Sequence, residues 1–240
     1  MLKIDNLTAA ADNQIILDKI NLKIKQGEVH VLLGPNGSGK SSLAQVIMGN
    51  PHYQIKSGQI FFQDRDITQL PMEKRVELGL ALAYQDPPEI KGVPLQQLLD
   101  LIGSKQPNRA ESARQPKWTK KLLKREVNVK FSGGEKKIAE ILQVLALNPK
   151  LAIFDELDSG LDVKNMARVI SLVKSEIIDR RISSLFITHY GKIVSQLEPD
   201  WTHVMLNKKI ICSSQDYQQV ITTINQHGYQ RCRQCQSLDS

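Results

Sequence analysis

The sequence predicts an α/β fold in which a mostly parallel sheet is covered by helices, and three observations support this prediction. Apolar strand-like segments alternate with helical patterns across residues 29–85 and 132–226, as a parallel sheet with helical crossovers requires. A glycine-rich segment joins one of these strands directly to a helix. The 240 residues, of which 41% are hydrophobic, suit one α/β domain with a smaller appendage.

The glycine-rich segment, Gly34–Ser41, reads Gly-Pro-Asn-Gly-Ser-Gly-Lys-Ser and follows Val29–Leu33, which has the apolar, β-branched character of a buried parallel strand. Its glycines allow sharp turns and let backbone N–H groups approach a phosphate without an intervening Cβ. Lys40 begins a helix that runs to about Gly49 and adds free N–H groups and a positive dipole end. A plain glycine-rich turn would not need this combination, so the segment predicts a phosphate-binding loop.

Such a loop assigns roles to its side chains. We expect the Lys40 ammonium to reach the β- and γ-phosphates of a nucleoside triphosphate, and the Ser41 hydroxyl to bind Mg²⁺. The sequence therefore predicts ATP and Mg²⁺ as ligands. The predicted nucleotide-binding residues of this loop are Gly34, Pro35, Asn36, Gly37, Ser38, Gly39, Lys40, Ser41 and Ser42.

A second apolar strand, Leu151–Phe154, ends in the two carboxylates Asp155 and Glu156. Alone, this pattern could be the start of an ordinary loop. Together with a phosphate loop, it predicts that Asp155 belongs to the Mg²⁺ shell and that Glu156 orients or deprotonates the attacking water.

Ser132-Gly133-Gly134 begins a long helix that extends to about Leu147. Ser132 is a good N-cap residue, and Glu135 adds negative charge to the first turn. The same helix start could also bind a γ-phosphate. With the phosphate loop, this motif resembles the ABC-type ATPases, and the expected fold is the ABC-type P-loop ATPase fold.

This resemblance implies that Ser132, Gly134 and Glu135 contact ATP held by a second copy of the chain, and that two copies close head to tail. Asp158–Asp162 resembles the loop along that dimer seam. Closure would assemble the site and exclude water, which couples hydrolysis to a large motion.

Two further positions take their roles from the same resemblance. Gln85 follows the predicted strand Leu80–Tyr84 and would contact Mg²⁺ and the water, and report the nucleotide state. His189 follows Ser184–Thr188 and would contact the γ-phosphate as a switch. A glutamine or histidine at a strand end is otherwise an ordinary surface residue. Their order along the chain, with Ser132 and Asp155 between them, is the order that the superfamily requires.

The predicted domain has four parts, which contain the motifs described above; the last of them is the tail 227–240. Residues 1–28 are expected to form an antiparallel β part, with strands Leu2–Leu7 and Ile20–Ile24. Residues 29–85 and 132–226 form the RecA-like core. Residues 86–131 lack strand character, contain several prolines and are predicted to be a helical insertion.

Finer features complete this division. The insertion should contain helices near Leu95–Ile102 and Lys117–Lys124. Trp201–Leu206 and Lys209–Cys212 flank Asn207-Lys208, which predicts a tight hairpin. Residues 227–240 are polar and are expected to be a flexible tail.

Composition restricts the environment and the partners. No apolar run approaches the ~20 residues of a membrane helix and no signal peptide opens the chain, so we expect a cytoplasmic protein without membrane insertion. Residues 104–130 contain nine basic and two acidic residues, which accounts for the whole net charge of +7. Interleaved aromatic residues are missing there, which disfavours nucleic acid and favours a solvated face or an acidic protein partner.

The three cysteines, Cys212, Cys232 and Cys235, argue against a disulfide framework because their number is small and odd. Cys232 and Cys235 could bind a metal only with two further ligands. An incidental thiol pair is the favoured reading.

Four stretches resemble the SufC family, the ATPases of the SUF iron–sulfur cluster assembly machinery. Phe131–Lys137 reads Phe-Ser-Gly-Gly-Glu-Lys-Lys, with Glu135 where most transporter ATPases have glutamine. The other three are Met48–Tyr53, Gln85–Val93 and Asp155–Asp162, and the resemblance covers about residues 1–215.

The resemblance implies an ATPase that docks on paired scaffold subunits, SufB with SufD or two copies of SufB. A transient, ATP-driven homodimer would then rearrange the scaffold. The docking surface is expected around Gln85–Val93 and the helical insertion.

The chain also departs from the family pattern. Ile138-Ala139 replace a common Arg-Asn pair, the insertion is short, and no aromatic residue precedes Tyr53, so base selectivity should be loose. The alternative function is the ATP-binding subunit of a membrane ABC transporter. A passive nucleotide-gated module is disfavoured because Lys40, Asp155, Glu156 and His189 are all present.

Overall fold

The computed structural model describes residues 1–84, 87–104, 116–188 and 194–232. The strands are β1 Leu2–Ala11, β2 Gln14–Ile24, β3 Val29–Leu33, β4 Gln54–Phe62, β5 Arg65–Asp66, β6 Leu80–Ala83, β7 Ile90–Pro94, β8 Glu126–Val127, β9 Leu151–Asp155, β10 Ser183–Thr188, β11 Trp201–Leu206 and β12 Lys209–Ser214. The helices are α1 Lys40–Met48, α2 Met72–Leu78, α3 Leu95–Ser104, α4 Lys120–Leu123, α5 Gly133–Ala146, α6 Val163–Val173, α7 Val194–Leu197 and α8 Tyr217–His227.

The central sheet has the strand order β12-β11-β3-β10-β9-β6, and only β12 runs antiparallel to its neighbour. Strands β3, β9 and β10 are buried along their whole length, which explains their apolar runs Val31–Leu33, Leu151–Phe154 and Leu185–Ile187. The prediction of a mostly parallel core sheet is therefore confirmed. Because Leu33 pairs with Thr188 and Ile187 pairs with Asp155, the carboxyl ends of these strands meet at one edge.

A second, antiparallel sheet has the order β2-β1-β4-β5. The prediction that residues 1–28 form the antiparallel part is incomplete, because β4 and β5 lie beyond that range. The alternating pattern of β4 is hard to recognise in the sequence, since Gly58 interrupts it where the strand passes close to β1. A Cβ on Gly58 would lie 2.5 Å from the carbonyl oxygens of Asp5 and Asn6.

The insertion contains strands, so the prediction that residues 86–131 lack them is wrong. β7 and β8 pair antiparallel, with Ile90 opposite Val127. Both strands are short, and a two-residue strand such as β8 cannot show a period-2 pattern. The helix predicted near Leu95–Ile102 is confirmed as α3, whereas Lys117–Lys124 is a 3₁₀ turn, Lys117–Thr119, followed by α4.

The hairpin between β11 and β12 is confirmed. Its turn residues, Asn207 and Lys208, have positive φ values of 49° and 68°, as a tight turn between twisted strands requires. The predicted flexible tail is wrong for residues 228–232, because Cys232 is fully buried and Tyr229 packs against the core. Cys235 lies outside the described residues.

The described ranges contain no helix that is both long and apolar enough to span a bilayer. They also contain no cluster of three potential metal ligands among histidine, cysteine and acidic side chains. The hypothesis of a cysteine metal site thus gains no support from this part of the chain.

Candidate nucleotide-binding site

The phosphate loop joins β3 to α1 at the carboxyl edge of the central sheet, where the sequence predicted it. Gly37 and Gly39 have positive φ values of 75° and 107°, which favour glycine. Gly34 is needed for a different reason, because a Cβ there would lie 2.3 Å from the Met205 carbonyl oxygen. The loop is thus shaped both by its own backbone and by the neighbouring strand β11.

The Lys40 side chain is 5% exposed and is anchored on the loop itself. Its Nζ donates hydrogen bonds to the carbonyl oxygens of Gly34 at 2.8 Å and Pro35 at 3.0 Å. Burial lowers the pKa of Lys40, whereas the nearby Glu156 and Asp155 carboxylates oppose that shift. These partners hold a cation at the mouth of the loop, as phosphate binding requires.

A cavity of about 320 Å³ brings several of the predicted residues together. It is lined by Asn36, Gly37, Gly39, Lys40, Ser41, Ser42 and Glu156. Ser38, within the loop, is buried, and its Oγ has no hydrogen-bond partner within the described part of the chain. A second cavity of about 400 Å³ shares Ser41 and extends past Asp155 to Tyr53 and Tyr84.

The pair Ser41 and Asp155 fits a magnesium ion. Asp155 is 7% exposed, and its buried Oδ1 lacks a hydrogen-bond partner among the described residues. Burial raises the pKa of Asp155, while the hydrogen bond from Ser41 opposes this shift. A hydroxyl and a carboxylate oxygen without a partner are the hard ligands that Mg²⁺ prefers. Bound there, Mg²⁺ supplies charge neutralisation of the nucleotide phosphates.

Glu156 lies at the same cavity in an uncommon backbone conformation. Its φ is 50°, in the left-handed region, and its backbone N–H donates to the Ile187 carbonyl oxygen at 2.8 Å. Non-glycine residues held in this region often mark functional sites. Its position beside Lys40 is compatible with the predicted role in orienting water.

Sequence reasoning missed two buried charged residues on α5, Lys137 and Glu140. Burial lowers the pKa of Lys137, and the Asp155, Glu140, Glu156 and Asp158 carboxylates oppose that shift. Glu140 accepts a hydrogen bond from the Tyr84 backbone N–H at 3.2 Å, and burial raises its pKa. The available signal was two charged side chains, three residues apart, on the otherwise apolar face of this helix.

Gln85 and His189 lie outside the described residues, so their predicted roles remain predictions. The backbone next to each is held in place. Glu140 binds the N–H of Tyr84, and the Thr188 hydroxyl donates to both Asp158 carboxylate oxygens at 2.9 and 3.0 Å. The seam loop that contains Asp158 is thereby tied to the end of β10.

The N-terminus of α5 is organised as a capping box. Ser132 Oγ accepts from the Glu135 backbone N–H at 3.3 Å, and Glu135 Oε2 accepts from the Ser132 N–H at 2.9 Å. Arg125 Nη1 contacts Glu135 Oε1 at 2.7 Å, while Nη2 donates to the Lys130 carbonyl. In this state Glu135 positions the helix start.

Small residues at this helix start allow close packing on the seam loop. A Cβ on Gly134 would lie 2.5 Å from the Asn165 side chain, and one on Gly133 would lie 3.3 Å from the Gly160 carbonyl. Asn165 is in turn held by Asp162, which caps α6. The helix start and the seam loop therefore form one unit. None of residues 132–135 lines the cavity at the phosphate loop.

Comparison with known proteins agrees with this geometry. The profile of the ABC transporter family matches residues 17–159. A probable ATP-dependent transporter, ycf16, of Cyanophora paradoxa is 38% identical, covering 88% of this chain and 87% of that protein. A probable ABC transporter ATP-binding protein of Streptococcus pyogenes serotype M18 is 35% identical, covering 95% and 93%.

The solved structures agree as well. The ATP-binding cassette MJ1267 superposes with a TM-score of 0.78 at 26% identity, over 94% of this chain and 96% of that chain. A dimeric bacterial cassette, MJ0796, has the same fold with a TM-score of 0.74 at 19% identity, over 89% and 98%. The chain belongs to the ABC transporter family of ATP-binding cassettes. It is an ATPase that uses ATP and Mg²⁺.

Proposed function

We propose that this ATPase drives a SUF-type iron–sulfur cluster assembly complex, in which two copies close head to tail on ATP and rearrange SufB- and SufD-like scaffold subunits. One observation carries this proposal. Residues 87–93, the described part of the Gln85–Val93 stretch of the SufC resemblance, contact residues 126–128, which shortly precede the Phe131–Lys137 stretch. Asn128 is buried and its Nδ2 donates to the Pro88 carbonyl at 2.8 Å, and β7 pairs with β8.

This β7–β8 ribbon links the proposed docking surface to the helix start at Ser132–Glu135. Its outer side includes Ile90, which is exposed, while Arg125 beside β8 contacts Glu135 at the start of α5. A partner seated on the ribbon would therefore sense or move the helix start that is proposed to bind ATP of the second copy. Glu135 supports the proposal because a glutamine in its place could not form the ion pair with Arg125.

The neighbouring surface suits an acidic region of such a scaffold. Lys117, Lys120, Lys121 and Lys124 follow helical spacing and are exposed, whereas Thr119, Leu122 and Leu123 are buried on the opposite side. These four lysines form no ion pair within the described part of the chain. Like charges at this spacing are unfavourable in isolation, so an acidic partner would stabilise them.

Co-purification with defined variants tests this function. Tagged wild-type chain, purified from its native cells without detergent, should retain SufB-like scaffold chains detected by mass spectrometry. Ile90→Glu should release them, while Ile15→Glu, an equally exposed apolar position on β2, should not. The Glu156→Gln variant should trap ATP and hold two copies together on the scaffold, measured by light scattering.

The alternative function is the ATP-binding subunit of a membrane ABC transporter, and the names of two relatives, which are called probable transporter proteins, are compatible with it. Recovery from the membrane fraction with a permease, and without scaffold chains, would establish that alternative and contradict the cluster-assembly proposal.

A further inference from the structure

A hydrogen-bond network centred on two buried histidines joins β3 to the β11–β12 hairpin, away from the nucleotide cavity; its outer members, Glu28 and Ser213, are partly exposed and exposed. His30 is fully buried and His203 is 4% exposed. His30 Nδ1 lies 2.9 Å from His203 Nε2, and the two rings stack with centroids 5.1 Å apart. At one end of this network, Glu28 Oε2 lies 2.9 Å from His30 Nε2. At the other end, Ser213 Oγ lies 2.7 Å from His203 Nδ1.

In each hydrogen bond of this network, one atom can be assigned as the donor and the other as the acceptor. Hydrogen bonds from the Lys25 N–H and from His30 outweigh the burial of Glu28 and lower its pKa, so this carboxylate is an acceptor. His30 therefore carries its proton on Nε2, and its Nδ1 accepts from His203 Nε2–H. His203 Nδ1 then accepts from the Ser213 hydroxyl. Both imidazoles are neutral, and each ring nitrogen is satisfied.

The β11–β12 hairpin, to which this hydrogen-bond network is attached, contacts the phosphate loop directly. Met205, two residues after His203, places its carbonyl oxygen against Gly34, where even a Cβ would not fit. At the turn, the Lys208 N–H donates to the Ser38 carbonyl at 3.0 Å, and the Lys208 carbonyl accepts from Asp18 N–H at 2.8 Å. The loop is thus held between the hairpin and β2.

We propose that His30 and His203 are positioning residues for nucleotide binding, which act by seating the β11–β12 hairpin against the phosphate loop. The loop has a single productive shape, in which its N–H groups converge on the phosphates. A hairpin that shifts by a few tenths of an ångström moves the Met205 carbonyl toward or away from Gly34. Because the protein interior is closely packed, such a shift changes the shape of the phosphate loop and thereby the positions of the N–H groups that bind phosphate.

Two substitutions at position 203 separate positioning from general stability. His203→Gln places an amide N–H where Nε2–H lies and keeps the donor to His30. His203→Leu fills the volume but leaves His30 Nδ1 without a donor. We expect His203→Leu to weaken Mg²⁺–ATP binding about tenfold, and His203→Gln to remain within about twofold of the wild type.

The measurement is an ATP titration of the full-length chain, carried out well below the melting temperature of each variant. Hydrogen exchange of the hairpin turn gives a second readout, and it should be faster in His203→Leu than in the other two proteins. Unchanged ATP affinity in His203→Leu, despite a lower melting temperature, would show that the pair only stabilises the fold and would overturn the proposal.

A milder variant keeps the proposal testable where His203→Leu does not fold. Ser213→Ala removes only the hydroxyl donor to His203 Nδ1, and we expect it to weaken ATP binding about twofold to threefold. Wild-type affinity and unchanged hydrogen exchange at residues 206–209 in Ser213→Ala would contradict the proposal.

Discussion

The phosphate loop and the segment Ser132–Glu135, which is proposed to complete the ATP site of a second copy and is called the signature half below, are both built at the N-terminus of a helix, yet they differ in what their polar groups contact. In the loop half, Lys40 and Asp155 are buried, and Ser38 Oγ and Asp155 Oδ1 have no hydrogen-bond partner among the described residues. In the signature half, Ser132 is exposed and its side chain and N–H are satisfied by Glu135.

This difference indicates how the two halves are used. Buried polar atoms without partners are unfavourable until a ligand satisfies them, so the loop half is prepared to bind ATP and Mg²⁺ in a single chain. The capping box satisfies the signature half in the absence of a ligand. Under the proposed head-to-tail arrangement, a second copy of the chain brings a phosphate to it, and closure is a separate step.

The largest expected effect comes from the loop half. Lys40→Met removes the buried cation, and we expect ATP hydrolysis to fall by about 10²–10³-fold because charge developing on the phosphates loses a fixed positive partner. The measurement is steady-state phosphate release. Lys56→Met, at an exposed lysine of β4, is the matched control and should keep wild-type activity. Substantial hydrolysis in Lys40→Met would contradict the assignment of this half.

The next effect tests the signature half. Ser132→Asp keeps a good N-cap, but its carboxylate repels the phosphate of ATP held by the second copy. We therefore expect ATP binding to the phosphate loop to be unchanged and hydrolysis to fall by about 10²-fold. An equal mixture of Ser132→Asp and Lys40→Met chains should regain about a quarter of wild-type activity. About half of the dimers then contain one chain of each variant, and each of these mixed dimers has one intact site out of two. A mixture as inactive as either parent would contradict a site shared between two chains.

Acidification should weaken the fold through the histidine pair. Burial and the neighbouring His30 lower the pKa of His203 to about 3, and burial lowers that of His30, although Glu28 opposes it. The unfolded chain therefore binds more protons below pH 6.5, and stability is full above that pH and is lost as pH falls toward 3. Asp200 and Lys25 also face His30, and Lys3, Asp5 and Lys23 line the groove beside His203.

Because of His203, the free energy of unfolding is expected to be about 2 kcal/mol lower at pH 5 than at pH 7.5. Urea unfolding at both pH values measures it, and the smaller loss expected for His203→Gln isolates the histidine from other titrating groups. Equal pH dependence in the two proteins would show that His203 is not held neutral.

The smallest expected effect is that of Arg125→Ala. Its ion pair with Glu135 is more than one third exposed on both sides, so its removal should lower the free energy of unfolding by less than about 1 kcal/mol. We nevertheless expect slower hydrolysis, because the ion pair orients the capping box. Chemical unfolding together with phosphate release separates the two effects. A large loss of stability with normal turnover would indicate a purely structural role.

Local patterns explain what could be predicted from the sequence. The phosphate loop, α1, and the strands that end at Asp155 and Thr188 are each specified within a few residues, by glycine spacing, apolar runs and the charges that end them. Their common edge follows from the parallel sheet, because strands with the same direction end on the same side. The composition of the antiparallel sheet and the β7–β8 ribbon could not be predicted in this way, since short or interrupted strands carry no clear period.

The sequence by itself determined the fold class, the phosphate loop and the order of the catalytic motifs, because these depend on local backbone preferences and hydrophobic pattern. Only the tertiary structure decided that Lys137 lies among the site carboxylates, that Glu140 holds the backbone of Tyr84, and that His30 meets His203 across 173 positions of the chain. Such contacts arise from how whole helices and strands pack, and the sequence separation of two side chains says nothing about their distance in space.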